Sequence, residues 1–385
     1  MDSFLRSMRL VQEKSAHLAE FNWCSTDRSA RNARLCRCRY TAIYRPRFVV
    51  KTRGNSNAAV QRFEQFFTNN CLGKHQADCP RKGLLVLTPS NLTEIVEERT
   101  TALQPLTGST YPALNSFLDA VASAKGLADY KHFPPACHAI WKSIVVEQGA
   151  DVARAYLATL ILMGMQRTLR DPRLAALPDR VREGQIKHFE WMSTRLTGTE
   201  DWLELDHDTF QKEFGLATLR LYACGAQLVD YQCGVPRSIV LTGGSAQVLS
   251  RIAYFVRVGG FKPFFQIHTH VHRLDHFNEA GWNECYQCCA ELYSVHPEVL
   301  GMYGGSWFYD PKVKEISRRL KYLQDIPVAG GARLFRAGPS EDCTNDALST
   351  SPTRKDLFNK GLYQPCSYAL VWDRASQRRW ASAAA

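Results

Sequence analysis

The sequence predicts an α+β protein in which a helical middle region is followed by a mixed, mostly antiparallel sheet with flanking helices. From residue 90 to 229, apolar residues recur at helical spacing. After residue 235, short runs rich in β-branched and aromatic side chains follow one another, and two of the gaps between them contain Gly-Gly pairs. This change of character divides the chain into a basic, cysteine-containing segment, a helical region and an α/β domain, predicted at 1–89, 90–234 and 235–385.

The predicted helices begin and end at residues with capping preferences. Asn91 begins an N-x-x-E capping box, and Pro112 opens a segment that ends near Gly126. The segment 151–170 is apolar over most of its circumference, which is typical of a central buried helix. The other helices of this region are predicted at 135–149, 179–197 and 209–229.

The α/β domain is predicted to contain strands and helices in succession. Its strands are expected at 238–242, 251–258, 262–271, 299–309, 333–337 and 368–373. Its helices are expected at 278–295, 311–323 and 351–360, the second of them with proline in its first turn.

The composition is typical of a globular chain with a sizeable core. Its 385 residues are 45% hydrophobic, and the longest apolar run, 155–165, is too short to span a bilayer. The first thirty residues lack the continuous apolar stretch of a signal peptide. We therefore predict a cytoplasmic protein with no membrane partner, whose thirteen cysteines are thiols or metal ligands rather than disulfides.

The positive charge of the chain is concentrated near its amino terminus. Residues 1–60 hold twelve Lys and Arg against four Asp and Glu, a net charge of +8 out of a total of +11. Tyrosines and a phenylalanine are interleaved with the arginines, as in surfaces that combine phosphate contacts with base stacking. Residues 28–53 therefore form either a site for an anionic partner (RNA, DNA or an acidic carrier protein) or a solvated arm.

The segment 264–279 concentrates histidines next to a predicted strand. Four of the eleven histidines of the chain fall within nine positions, and Glu279 follows them. A strand period of two would put His268, His270 and His272 on one face. Imidazoles in this arrangement suit zinc or iron, which would make the protein a metal-dependent hydrolase or oxygenase. The alternative is that these histidines line a polar groove or satisfy backbone groups.

The same histidine segment resembles a known metal motif. The run HVHRLDH is similar to the H-x-H-x-D-H motif of metallo-β-lactamase-like hydrolases, with one additional residue before its Asp-His pair. That resemblance implies metal ligands further along the chain, where His296 is the one histidine that follows. The metal-dependent hypothesis therefore depends mainly on the clustered histidines themselves.

A second candidate metal site lies in the amino-terminal segment. Soft ligands occur there as a Cys-x-Cys pair and a Cys-x3-His-x3-Cys group about thirty residues later. This spacing is compatible with structural zinc, although the usual C-x2-C knuckles are absent. The alternative is a set of unrelated cysteines in an irregular segment. The residues concerned are Cys36, Cys38, Cys71, His75 and Cys79.

From residue 238 the predicted order is strand, strand, strand, helix, strand, helix, strand, short helix, strand. Over 238–374 this order resembles the core of the GNAT acyltransferase superfamily. The resemblance implies an acyltransferase acting on a small amine or amino-acid-type substrate, with acyl-CoA bound through its pyrophosphate at a glycine-rich turn after the third strand. In this chain the corresponding turn contains Asp275 and Glu279 and a single glycine, Gly281.

The run MYGGSWFYDP supplies the candidate catalytic residues. Tyr309 and Asp310 would lie at the carboxyl end of a strand, and the GNAT resemblance implies that a tyrosine there protonates the departing thiolate. Glu279 is the candidate general base. The alternative is a strand with core aromatic residues and an Asp-Pro helix start. A third, non-enzymatic hypothesis is an interaction protein that binds an anionic partner through residues 28–53.

Overall fold

The computed structural model describes residues 89–107, 114–124, 129–242, 245–349 and 351–384. The predicted amino-terminal segment therefore lies almost entirely outside the described residues. The predictions that fall there are the anionic-partner arm at 28–53 and the zinc site at Cys36, Cys38, Cys71, His75 and Cys79.

The first part of the described chain is helical, and its long helices confirm the sequence prediction. The central helix α4 is buried over most of its length and packs against α1, α3 and α7. The elements are α1 (Pro89–Thr107), α2 (Leu114–Ser123), α3 (Pro135–Gln148), α4 (Ala150–Leu169), α5 (Pro172–Ala176), α6 (Asp179–Arg195) and α7 (Asp208–Ala217).

The second half of the helix predicted at 209–229 is wrong, because the chain forms a β-hairpin there. Helix α7 ends at Ala217, and strands β1 (Leu221–Cys224) and β2 (Gln227–Asp230) pair antiparallel across a tight turn. Gly225 has a φ of +51° in this turn, a conformation that favours glycine. Both strands are buried throughout. A continuous apolar run of this kind does not distinguish a buried strand from a buried helix.

Two predicted strands, at 238–242 and 251–258, are also wrong. The structure has a short 3-10 helix at Arg237–Val240 and helix α8 at Ser245–Val258. The α8 sequence is rich in β-branched and aromatic residues, which favours a strand locally. Its buried positions 251, 254 and 255 nevertheless follow helical spacing, so packing decides the outcome.

The remaining strands agree with the predicted order, but the helices agree only in part. Helices form at Glu341–Ser349 and Arg374–Ala384, where none is predicted, and a 3-10 turn interrupts the helix predicted at 311–323. The strands are β3 (Phe265–Thr269), β4 (Gly301–Ser306), β5 (Arg333–Gly338) and β6 (Ser367–Asp373). The helices are α9 (Glu279–Leu292), α10 (Pro311–Ile316), α11 (Tyr322–Ala329), α12 (Glu341–Ser349), α13 (Pro352–Asn359) and α14 (Arg374–Ala384). Short 3-10 helices follow β3 at Val271–His276, β4 at Trp307–Tyr309 and α10 at Arg318–Leu320.

The described strands form one six-stranded sheet in the order β1-β2-β3-β4-β6-β5. Its pairs are antiparallel except for β3 and β4, which are parallel and are connected through α9. The predicted α+β class with a mixed, mostly antiparallel sheet is therefore confirmed. Strands β1 and β2 precede residue 235, and the domain boundary predicted there stays a prediction.

The parallel pair is joined over a short distance. Two residue pairs register β3 with β4, Phe265 with Met302 and Gln266 with Tyr303. Beyond them, β3 runs on to Thr269 next to β2, while β4 continues next to β6. In sheets that contain parallel strands, ligands bind outside the carboxyl ends of such strands, where the connections diverge.

Two large hydrophobic clusters support these elements. One is formed mainly by the helices before residue 218, and the other by one face of the sheet together with α9. None of the helices in the described ranges combines the length and the apolar character needed to cross a bilayer.

Candidate functional site

The most unusual buried group next to the sheet is the carboxylate of Glu213. It lies on α7, with 1% of its surface exposed, and the same helix buries Phe210 and Phe214. A carboxylate in such surroundings requires hydrogen-bond donors or a cation, because burying an isolated charge costs several kcal/mol or more.

Three imidazoles provide those donors. His188 on α6 places Nε2 2.6 Å from Oε2 of Glu213. The other oxygen, Oε1, lies 2.6 Å from His270 Nε2 and 2.6 Å from His272 Nδ1. We call these four residues the Glu213 cluster. Both oxygens of the carboxylate are therefore hydrogen-bonded, by side chains from two separate parts of the chain.

The electrostatics of the cluster favour an ionised glutamate and a neutral imidazole. Burial alone would raise the pKa of Glu213, but His188 and His270 outweigh it and hold that pKa well below its usual value. Burial lowers the pKa of His270 to about 4, against the opposing effect of Glu213. Glu213 is therefore ionised and His270 uncharged at neutral pH.

His272 is the member of the cluster that is partly exposed. Its side chain is 20% accessible, compared with 1% for Glu213 and His270. Its ring lies 4.7 Å from the ring of Trp191 and 5.7 Å from that of Trp202, measured between centroids. The carboxylate and two indoles thus fix an imidazole that solvent can still reach, which is the arrangement of an oriented proton acceptor.

His268, predicted with His270 and His272 as a metal ligand, lies elsewhere. Its ring packs against Tyr130 at 4.9 Å, and its Nε2 is buried with no hydrogen-bond partner among the described residues. Burial lowers its pKa to about 3. The strand ends at Thr269 and a 3-10 turn begins at once, so the period of two does not carry through to His272.

The grouping that could hold a metal ion is therefore different from the predicted set. Ligand atoms of Glu213, His270 and His272 all lie within 4.8 Å of one another. Sequence reasoning missed Glu213 and His188. A signal was present, because Glu213 falls at helical spacing between Phe210 and Ala217, on the apolar face of its helix.

The three predicted catalytic residues lie in other surroundings. Tyr309 is fully buried in the 3-10 turn after β4, and burial raises its pKa well above the usual value. Asp310 caps α10 by accepting the backbone N–H of Lys312 at 3.0 Å, and burial raises its pKa as well. Glu279 is exposed at the start of α9. Within the described ranges, no hydrogen bond or ion pair connects these three residues to the Glu213 cluster.

The amino end of α9 is the place where the GNAT resemblance would put a pyrophosphate. Asn278 caps this end by accepting the N–H of Gly281 at 3.0 Å, and Gly281 itself accepts the N–H of Ala226 at 2.9 Å. A Cβ on Gly281 would lie 2.1 Å from the carbonyl oxygen of His276, so the glycine serves tight packing. With Glu279 also present, these residues do not fit the pyrophosphate of acyl-CoA.

Comparison with known proteins gives no match. No family model, no curated protein and no solved structure matches the chain. The GNAT resemblance therefore stays a prediction.

Proposed function

We propose that the chain is an acyl-transferring enzyme of GNAT-like architecture, acting on a small amine or amino-acid-type substrate. The observation that carries the proposal is the pair formed by buried Glu213 and partly exposed His272 just after the carboxyl end of β3. Substrate would bind where β3 and β4 diverge, and His272 would act as the general base.

The element order supports this architecture in part. Strands β1 to β3 precede α9, with α8 between β2 and β3, and β4, β5 and β6 follow with helices between them. The resemblance expects three strands in succession from residue 238, so α8 departs from the expected order, and β1 and β2 lie before that residue. The parallel β3-α9-β4 unit within an otherwise antiparallel sheet is a further supporting feature.

The chemistry assigned to His272 follows from its hydrogen bond. With Nδ1–H donated to Glu213, the other ring nitrogen, Nε2, is free to accept a proton. As the substrate nitrogen attacks the acyl carbon, the N–C bond forms, Nε2 takes the ammonium proton, and the bond to the leaving sulfur or oxygen breaks. Glu213 stabilises the imidazolium that results, while His188 and His270 position Glu213.

The acyl donor is proposed only as an activated ester or thioester, because the amino end of α9 does not fit a pyrophosphate. The roles predicted from the sequence, Tyr309 as general acid, Glu279 as general base and Asp310 as a further catalytic residue, stay predictions. Tyr309 holds its proton at neutral pH, but its hydroxyl packs within the core close to Gly304.

The direct test is acyl transfer by the purified full chain. Acetyl-CoA and a simple thioester would be offered with a panel of amines and amino acids, and products identified by mass spectrometry. We expect His272→Gln to lower kcat/KM by about 10²–10⁴, the usual contribution of a general base. His276→Gln is the matched control, since His276 is half exposed in the same turn. Equal activity of the two variants, or no acylated product at all, would refute the proposal.

A metal-dependent hydrolase or oxygenase is the second candidate, favoured by the clustered ligand atoms of Glu213, His270 and His272. Two imidazoles and a carboxylate suit zinc or iron, and a cation would be attracted to the buried carboxylate of Glu213. A bound metal would supply Lewis-acid or oxygen-activating chemistry.

Elemental analysis separates the two candidates. The second candidate requires about one zinc or iron per chain, lost in His270→Gln/His272→Gln and kept in His276→Gln. Chelator-treated wild-type protein gives the same comparison without a substitution. Undiminished acyl transfer by metal-free protein would exclude the metal candidate.

A further inference from the structure

A cavity of about 620 Å³ lies at the end of the β1–β2 hairpin opposite to the Glu213 cluster. It borders Arg220 and Tyr231, which flank the paired residues Leu221 and Asp230. The cluster lies toward the other end of the hairpin, where Gln227 pairs with the last residue of β3. Three strand residues separate the two ends, so the cavity lies on the order of 10 Å from the cluster.

The walls of the cavity combine an apolar side with a cationic one. Its size is in the range of small-molecule sites, which are mostly apolar with a few placed polar groups. The apolar side is formed by Leu118, Val121 and Ala122 of α2, and the cationic side by Arg167, Arg173 and Arg220; the carboxylate of Asp171 also lines the cavity.

Two of these arginines are already paired with carboxylates at the protein surface. Arg167 contacts Asp119 at 2.7 Å, and Arg173 contacts Asp171 at 2.7 Å. Both side chains are substantially exposed, at 42% and 63%. Exposed pairs of this kind contribute little binding energy of their own.

Arg220 differs because it is buried and only partly satisfied. It is 8% exposed, its guanidinium lies over the ring of Phe133, and its Nη2 donates to the backbone carbonyls of Asp129 and His132. Its Nη1 is buried and has no hydrogen-bond partner among the described residues. A buried charged donor without an acceptor is destabilising, and an anion that accepted its hydrogen bond would remove that cost.

We infer that this cavity binds a small molecule in which an oxyanion, carboxylate or phosphate, is joined to a compact apolar group. The oxyanion accepts from the guanidinium of Arg220, a charge-assisted hydrogen bond, and the apolar group packs against α2. The inference is independent of acyl transfer and of metal binding, because it uses none of the residues of the Glu213 cluster.

The test is calorimetric titration of the full chain with benzoate, phenyl phosphate and neutral benzamide. We expect at least one of the two anions to bind and benzamide not to bind. Tighter binding of benzoate would identify the natural ligand as a carboxylate, and tighter binding of phenyl phosphate would identify a phosphate. No binding of either anion at millimolar concentration, or equal binding of benzamide, would overturn the inference.

Two variants locate the binding. Arg220→Lys keeps the charge but removes the guanidinium, and Ala122→Phe fills the cavity from an exposed helix position without altering Arg220. Each should weaken anion binding about tenfold or more. Arg180→Lys is the matched control, because Arg180 pairs with Glu291 at the surface and does not line the cavity. Wild-type affinity in both Arg220→Lys and Ala122→Phe would equally overturn the inference.

Discussion

Glu213 and Arg220 are both charged side chains that the fold buries, and they differ in how completely their polar atoms are satisfied. The two oxygens of Glu213 accept from three imidazoles. Arg220 donates to two backbone carbonyls through one nitrogen, while Nη1 has no partner among the described residues. A fully hydrogen-bonded charge forms a rigid internal unit that can orient a neighbour such as His272, whereas a partly satisfied charge favours an external ligand.

The largest expected effect is the loss of Glu213. Glu213→Ala removes the carboxylate that three imidazoles contact and leaves a cavity at a buried position of α7, so we expect it to lower the free energy of unfolding by about 3–5 kcal/mol. Urea unfolding followed by circular dichroism would measure the change. A loss below about 1 kcal/mol would mean that the cluster does not depend on its carboxylate.

Loss of Arg220 should cost less, because one of its nitrogens is unsatisfied from the start. Arg220→Met removes two backbone hydrogen bonds and also an unpartnered buried donor, and we expect a decrease of about 1–3 kcal/mol in the same urea experiment. A decrease in the free energy of unfolding equal to that of Glu213→Ala would contradict the difference in hydrogen bonding proposed between Glu213 and Arg220.

Stability should also depend on pH through the histidines next to β3 and not through Arg220. Burial lowers the folded-state pKa of His270 to about 4 and that of His268 to about 3, from an ordinary 6.5. At pH values between the folded-state and unfolded-state pKa, the unfolded chain binds more protons than the folded chain. The free energy of unfolding therefore rises with pH across this interval, and this stabilisation is lost as the pH falls from about 6.5 toward 4.

The measurement is the unfolding midpoint in urea between pH 4 and pH 7. His268→Phe keeps an aromatic ring against Tyr130 but removes a titrating group, so its profile should be flatter than that of wild type. Parallel profiles would show that protonation of His268 is not coupled to unfolding.

The smallest effect is expected at His276, in the same 3-10 turn as His272. Its side chain is half exposed, and its nearest carboxylate is that of Asp275 at 3.7 Å. We expect His276→Gln to change the free energy of unfolding by less than about 0.5 kcal/mol. A larger decrease in the free energy of unfolding would mean that substitutions in this turn destabilise the protein whether or not the histidine contacts Glu213.

Elements whose apolar spacing and residue composition favour the same secondary structure were predicted correctly from the sequence. Helix α4 is apolar around its circumference, and β6 is a short apolar run with two aromatic residues, so each has one favourable structure. Helix α8 has strand-like composition with helical spacing of its buried residues, and the two signals conflict. The hairpin after α7 was missed because buried strands and buried helices share the same apolar pattern.

The candidate site was predicted only in part, for a similar reason. His270 and His272 were identified from their density, but their orientation depends on a turn that follows Thr269. Glu213 is 57 residues from His270 in sequence, and its importance arises only when α7 packs next to the end of β3. Local patterns cannot supply such a contact, although a carboxylate on an apolar helix face indicates that a partner is needed.

The glycine contact between the hairpin and α9 has a mechanical consequence. A Cβ on Gly225 would lie 2.2 Å from the carbonyl oxygen of Gly281, and Arg273 donates from Nε to the Gly225 carbonyl at 2.8 Å. The hairpin tip, the turn that carries His272 and the first turn of α9 are therefore clamped together and must shift as one body. A displacement of α9 would therefore move the imidazole of His272, even if the hydrogen bonds to Glu213 were initially unchanged.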